Sequence, residues 1–209
     1  MTGFTANPRH AEDLHAWHIL RPLLDAGNYL PWGTGSMRPS GLVLVCNEIL
    51  FGRRSNIVEC GSGVSTVVLA RLLRQLGGSA TIVALEHDAD WARLVTELLQ
   101  RESLDGVAQV IHAPLTGQPL WYDRTALVQI RDQIDLLVVD GPPAYAVGHG
   151  LRRAPALSAF DPKLAPAATV VLDDVDRPGE REVLIEWESS TSWRFSIDDS
   201  AGVAIGRRR

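Results

Sequence analysis

Apolar positions follow two rhythms along this chain, and the change between them comes near residue 54. From His10 to Ala26, Leu14, Trp17, Leu20, Leu23 and Leu24 recur at helical spacing and predict a helix with one apolar face. Asn28 to Arg38 is interrupted by Pro31, Gly33 and Gly35 and reads as a loop. Leu42 to Leu50 predicts a second helix, capped by Ser36 or Ser40 and stopped by Gly52. Residues 1–54 are therefore expected to form a helical cover over one end of the fold, with the loop from Trp32 to Met37 as a lid.

Beyond Arg54, short apolar runs alternate with amphipathic ones. Strands are predicted over 56–60, 80–85, 107–112, 134–139 and 169–172, and a closing pair over 193–197 and 203–205. Helices are predicted over 65–76, 90–101, 123–131, 154–160 and 181–188. Ile134 to Val139 is almost unbroken in branched residues, as in a strand covered on both faces. Repeated strand–helix units imply an α/β fold: a doubly wound parallel sheet with right-handed crossovers, over residues 55–209. Such sheets take ligands beyond the C-terminal strand ends, near the switch in strand order.

Composition narrows the function. The chain has 209 residues, 45% of them hydrophobic, which suits one domain with an N-terminal addition. A net charge of −5 argues against nucleic acid as a partner, because phosphate binding wants a basic face. Two cysteines, Cys46 and Cys60, make no disulfide framework. The stretch from Met1 to Asp13 is polar, unlike a signal peptide, and no apolar run approaches the ~20 residues of a membrane span. The expectation is a cytoplasmic protein acting on a small molecule, away from membranes, with self-association left open.

The first strand runs into Glu59-Cys60-Gly61-Ser62-Gly63-Val64-Ser65, and the second ends at Glu86. Two glycines allow a tight turn with close backbone approach to a ligand. An acid at the second strand end is where this kind of fold receives a ribose diol. A dinucleotide fingerprint would want a third glycine where Thr66 stands, which disfavours a nicotinamide cofactor. Here the chain resembles the class I S-adenosylmethionine (SAM)-dependent methyltransferases. Val58 to Gly63 is similar to their first motif, Leu85 to Asp88 to the second, and Ile134 to Gly141 to the fourth-strand motif. The resemblance implies a seven-stranded Rossmann-like sheet with a terminal antiparallel strand pair. It also implies that Gly61, Gly63, Ser62 and Ser65 meet the amino-acid part of SAM, while Glu59 is expected to face the charged end of the ligand and to orient the glycine loop. Glu86 would hold the ribose, and His87, Ala113 and Pro114 would flank the adenine.

Asp140 ends the fourth strand, and Asp173 and Asp174 end the fifth. Three carboxylates at adjacent strand ends need a cation to neutralise them, and an all-oxygen set suits Mg2+. The pattern is similar to metal-dependent O-methyltransferases of the catechol and macrolide-sugar types, with Asp140 placed nearest the donor. Those families carry a lysine or histidine base where this chain has Gly141-Pro142-Pro143, so Asp140, His149 and Tyr145 all stay in view as the base. Trp121-Tyr122-Asp123 and Arg152-Arg153 could wall an acceptor pocket. A metal-free N- or O-methyltransferase and a nicotinamide-dependent oxidoreductase are the alternatives.

Overall fold

A computed structural model describes residues 8–209; the polar start of the chain, residues 1–7, lies outside the described residues. In chain order the main elements are α1 (Pro8–Leu24), α2 (Pro39–Gly52), β1 (Asn56–Cys60), α3 (Val64–Leu76), β2 (Thr81–Glu86), α4 (Ala89–Arg101) and β3 (Ala108–His112). A small hairpin follows, β4 (Leu115–Thr116) with β5 (Trp121–Tyr122). After it come α5 (Arg124–Val128), β6 (Ile134–Val139), α6 (Pro155–Phe160), β7 (Leu164–Leu172), α7 (Pro178–Ser190), β8 (Trp193–Asp198) and β9 (Val203–Arg208). Seven strands form one sheet in the order β3-β2-β1-β6-β7-β9-β8, in which β9 alone runs against the other six. The order turns between β1 and β6, so the strand ends diverge there and leave a crevice.

Alternation along the strands splits the core into two. Ile57, Leu136, Val138 and Val171 face the helices α1 to α4, which contribute Leu20, Leu42, Val45, Leu69 and Val95. Val58, Leu137, Val139 and Val170 face the other side, against Leu157 and Phe160 of α6 and Val183 and Trp187 of α7. The N-terminal helices thus lie on a face of the sheet, packed with α3, rather than over its end. Their apolar residues complete a layer that α3 and α4 leave unfinished. The loop joining them is what reaches the strand ends.

The start of α2 differs from expectation, and it and the end of α1 are both closed by distant residues. Neither Ser36 nor Ser40 caps α2: Pro39 opens the helix, and Arg38 precedes it with no side-chain cap. The carboxylate that meets this end is Asp13 of α1, which accepts from the Ser40 amide at 3.3 Å and its hydroxyl at 2.7 Å. The far end of α1 is closed just as remotely. Arg71 of α3, fully buried, donates to the carbonyls of Leu23 (2.9 Å), Leu24 (3.3 Å) and Asn28 (2.9 Å) and pairs with Glu102. Among the described residues, no helix is long and apolar enough to cross a membrane.

Candidate active site

A cavity of about 560 Å³ opens at the C-terminal ends of β1, β2, β6 and β7, with residues 31 and 33–37 of the α1–α2 loop along its mouth. The size falls in the range usual for small-molecule sites, roughly 300–1,000 Å³.

Its floor is the turn after β1. Gly61 adopts φ +89°, and its Cα lies so close to Gly141 that a Cβ there would meet the Gly141 amide nitrogen at 3.1 Å. Each amide of the turn is spent inside the protein. Gly61 N–H donates to the Leu85 carbonyl (2.9 Å), Ser62 N–H to Glu86 Oε2 (3.1 Å) and Gly63 N–H to Thr66 Oγ1 (2.9 Å). The Ser62 carbonyl accepts from Trp91 Nε1 at 2.8 Å. A pyrophosphate needs free amides at such a turn and finds none on these three residues. A ligand that meets Cα atoms and carbonyls suits this floor better.

Glu86 stands beside the turn, 4% exposed and on the cavity wall. Besides Ser62, it accepts from the Asp88 amide at 2.9 Å and sits 2.8 Å from His87 Nδ1. Burial pushes its carboxyl up, but the bonds from His87 and from the Asp88 and Ser62 amides together hold it below the usual range. The same bond, donated by His87 to Glu86, raises His87 above an ordinary histidine.

Glu59 is fully buried behind the turn and does not reach the cavity wall. Its Oε2 accepts from Thr66 Oγ1 at 2.6 Å, and Thr66 in turn accepts from Gly63, so Glu59 shapes the loop at one remove. Burial pushes its pKa from 4.5 up to about 8. The folded chain therefore keeps this proton over a pH window in which the unfolded chain has lost it, and stability falls as pH rises from 4.5 to 8. Glu59→Gln should keep the fold, flatten that slope and be at least as stable as the parent at pH 8. Urea melts at pH 5 and pH 8 measure this; an equal loss at both would show an ionised Glu59.

The carboxylate group lies across the crevice. One oxygen from each of Asp140, Asp173 and Asp174 falls within 4.8 Å of the others. Asp174 holds a left-handed backbone, φ +61°, which aspartate tolerates better than most residues. The cation among these acids is Arg153, 2% exposed. Its Nη2 lies 2.9 Å from Asp174 Oδ2 and 3.5 Å from Asp140 Oδ1, while Nη1 donates to the Asp173 carbonyl (3.1 Å) and Nε to that of Pro142 (3.4 Å). Arg177 Nη1 lies 2.7 Å from the same Asp174 oxygen. Buried Glu180 completes the group, 3.6 Å from Arg153 and 3.7 Å from Arg177. Burial works against the charge on Arg153, but Asp140, Asp174, Asp173 and Glu180 outweigh it and raise its pKa. Burial pushes Asp173 well above the usual carboxylate range, and its two acidic neighbours add to this.

These acids have the right chemistry for Mg2+, which takes oxygen ligands at about 2.0–2.1 Å in a near-ideal octahedron. Their arrangement does not fit it. Asp174 is bonded by two guanidinium groups, Asp140 shares one of them, and Arg153 is tied to two backbone carbonyls beside the acids. A dication would sit against a buried positive charge.

Of the residues singled out from the sequence, Gly61, Ser62, Gly63, Ser65, Glu86, His87, Asp140, Asp173, Asp174 and Tyr145 come together around the cavity. Glu59, Ala113, Pro114 and His149 do not line it. The hairpin β4–β5 follows β3 directly and brings Tyr122, instead of Ala113 and Pro114, to the wall. His149 turns to Arg152, with Nε2 at 2.8 Å from its Nη2. Trp91, Tyr122, Arg153 and Arg177 also line the cavity. The buried hydroxyl of Tyr122 has no hydrogen-bond partner and packs against Gly141, where a Cβ would meet it at 2.6 Å.

Solved structures similar to this chain share its architecture. An O-methyltransferase from Bacillus cereus in complex with SAH is 16% identical with a TM-score of 0.60, over 95% of this chain and 91% of that one. An SAH-bound methyltransferase from Podospora anserina is 15% identical with a TM-score of 0.65, over 95% and 88%. A putative caffeoyl-CoA O-methyltransferase from Staphylococcus aureus is 15% identical with a TM-score of 0.60, over 97% and 99%. At these identities the likeness speaks for the fold. No curated protein matches the sequence. Residues 58–175, more than half of the chain, match the family model described as "Methyltransferase domain", and the chain belongs to that family.

Proposed function

We propose that this chain binds SAM in the cavity and transfers its methyl group to a hydroxyl of a small-molecule acceptor. The observation that carries the reading is the turn at Gly61–Gly63, closed to phosphate by its own hydrogen bonds and flanked on the wall by the Glu86 carboxylate. Two of the structural relatives hold SAH, the product of such a transfer, and two are described as O-methyltransferases. In the reaction, a lone pair of the acceptor oxygen forms the new O–CH3 bond while the C–S electron pair returns to sulfur, leaving a neutral thioether. Asp140, at the end of β6 and on the cavity wall, takes the hydroxyl proton and passes it to water. Much of the acceleration is alignment of oxygen, carbon and sulfur in one line.

The Mg2+-dependent form of this chemistry has one observation in its favour, the closeness of the three carboxylates. The position of Arg153 weighs against it, and we favour a metal-free transfer. Calorimetry with SAH and NAD tests the donor: SAH should bind and NAD should not. Glu86→Ala should weaken SAH by about 1.5–3 kcal/mol, the usual loss for hydrogen bonds to a charged group, or roughly ten- to a hundredfold. An unchanged affinity would remove Glu86 from the donor site.

A further inference from the structure

Arg153 enters the site from the turn ahead of α6 and uses all three of its guanidinium nitrogens there. Nε reaches the carbonyl of Pro142, in the loop after β6; Nη1 reaches that of Asp173, after β7; Nη2 lies between the side chains of Asp174 and Asp140. One planar group thus staples two strand ends and the acids they carry. Holding those two ends beside the methyl donor is what a bridging ion would otherwise do. Resting on the methyl-transfer reading above, we propose that Arg153 is the built-in cation of this site and excludes a divalent metal from the Asp140–Asp173–Asp174 group.

The chemistry of the residue suits the task. A guanidinium cannot lose its proton in a protein, and its fork matches carboxylates and carbonyls in fixed directions. An ammonium is a point charge on a flexible stem and would not span both carbonyls at once. With Arg177 also on Asp174, two positive charges face the acids, so an incoming dication meets repulsion as well as occupied oxygens. Arg153 acts through Asp140 and Asp174 and is a positioning residue.

Electron paramagnetic resonance of Mn2+ added to the SAH-loaded protein tests this without any acceptor. The parent chain should leave the free Mn2+ signal intact up to about 1 mM, and Arg153→Met, which keeps the bulk and removes the charge, should gain at least tenfold in Mn2+ affinity. Arg153→Lys covers the case in which the methionine variant does not fold; it keeps a charge, loses the fork and should also take up Mn2+ more tightly than the parent. One Mn2+ bound per parent chain at micromolar concentration, lost in Asp174→Asn, would overturn the proposal. SAH binding is measured separately by calorimetry. Its failure would overturn the donor assignment, while the Mn2+ titration of the ligand-free protein still decides the role of Arg153.

Discussion

Gly63→Val should lose SAH binding by at least a hundredfold, about 2.7 kcal/mol, while its melting temperature stays close to that of the parent. Gly63 has an extended backbone, φ 170°, which valine can adopt. A Cβ built on it meets nothing nearer than Trp91 Nε1 at 3.9 Å, so the protein itself has room for a side chain. That room is the cavity floor, and a branched side chain would stand where the donor must lie. Gly141→Ala is the contrast. There a Cβ would meet Gly61 Cα at 2.8 Å and its nitrogen at 2.9 Å, both backbone atoms that cannot swing aside. That variant should be destabilised by about 1–3 kcal/mol or more, the usual cost of an overpacked site. Thermal melts and calorimetry on the pair separate a glycine needed for the ligand from one needed for the fold. Normal SAH binding by Gly63→Val would place the donor elsewhere.

Asp140→Asn should lower turnover by roughly a hundred- to ten-thousandfold, the span usual for a lost general base, with SAH affinity within tenfold of the parent. Asparagine keeps an oxygen that can face Arg153 but loses both the ability to take a proton and the negative charge of the 3.5 Å ion pair, so a melting curve accompanies the assay to separate the two losses. Asp173 is 3% exposed, more deeply buried than Asp140, so Asp173→Asn should cost much less. Chelator should leave the parent rate unchanged. Production of SAH against a panel of hydroxylated sugars and catechols measures all three. Near-parental turnover in Asp140→Asn together with an inactive Tyr145→Phe would move the base to Tyr145, which is on the cavity wall and 76% exposed.

The sheet could be read from the chain because each inner strand is a run of branched residues, bounded by glycine, proline or an acid. Glu86 and the turn at Gly61–Gly63 could be read for the same reason: they sit at the ends of those runs, where the fold puts its crevice. What depended on distant partners could not. The acid at the start of α2 is 27 positions away in α1, beyond any local capping pattern. The strands of the β4–β5 hairpin have two residues each, too short to show alternation, so the sequence offers Trp121-Tyr122-Asp123 as a wall without singling out Tyr122, the one of the three that lines the cavity. Arg152-Arg153 reads from the sequence as a possible pocket wall, and Arg153 does line the cavity, but nothing local marks it as a buried charge. Its partners come from the ends of β6 and β7 and from the first turn of α7, which only the folded chain assembles.

Arg71 sets a limit on how this protein can be divided. The family match begins at residue 58, inside β1, yet the guanidinium on α3 is buried against the last carbonyls of α1. A piece cut at the start of the match would leave Arg71 its pair with Glu102 but take away the carbonyls of Leu23, Leu24 and Asn28 that its two terminal nitrogens meet. The matched stretch is therefore smaller than the stretch these contacts hold together. Any fusion, permutation or exchange between relatives has to carry α1 along with the strand-and-helix core it closes.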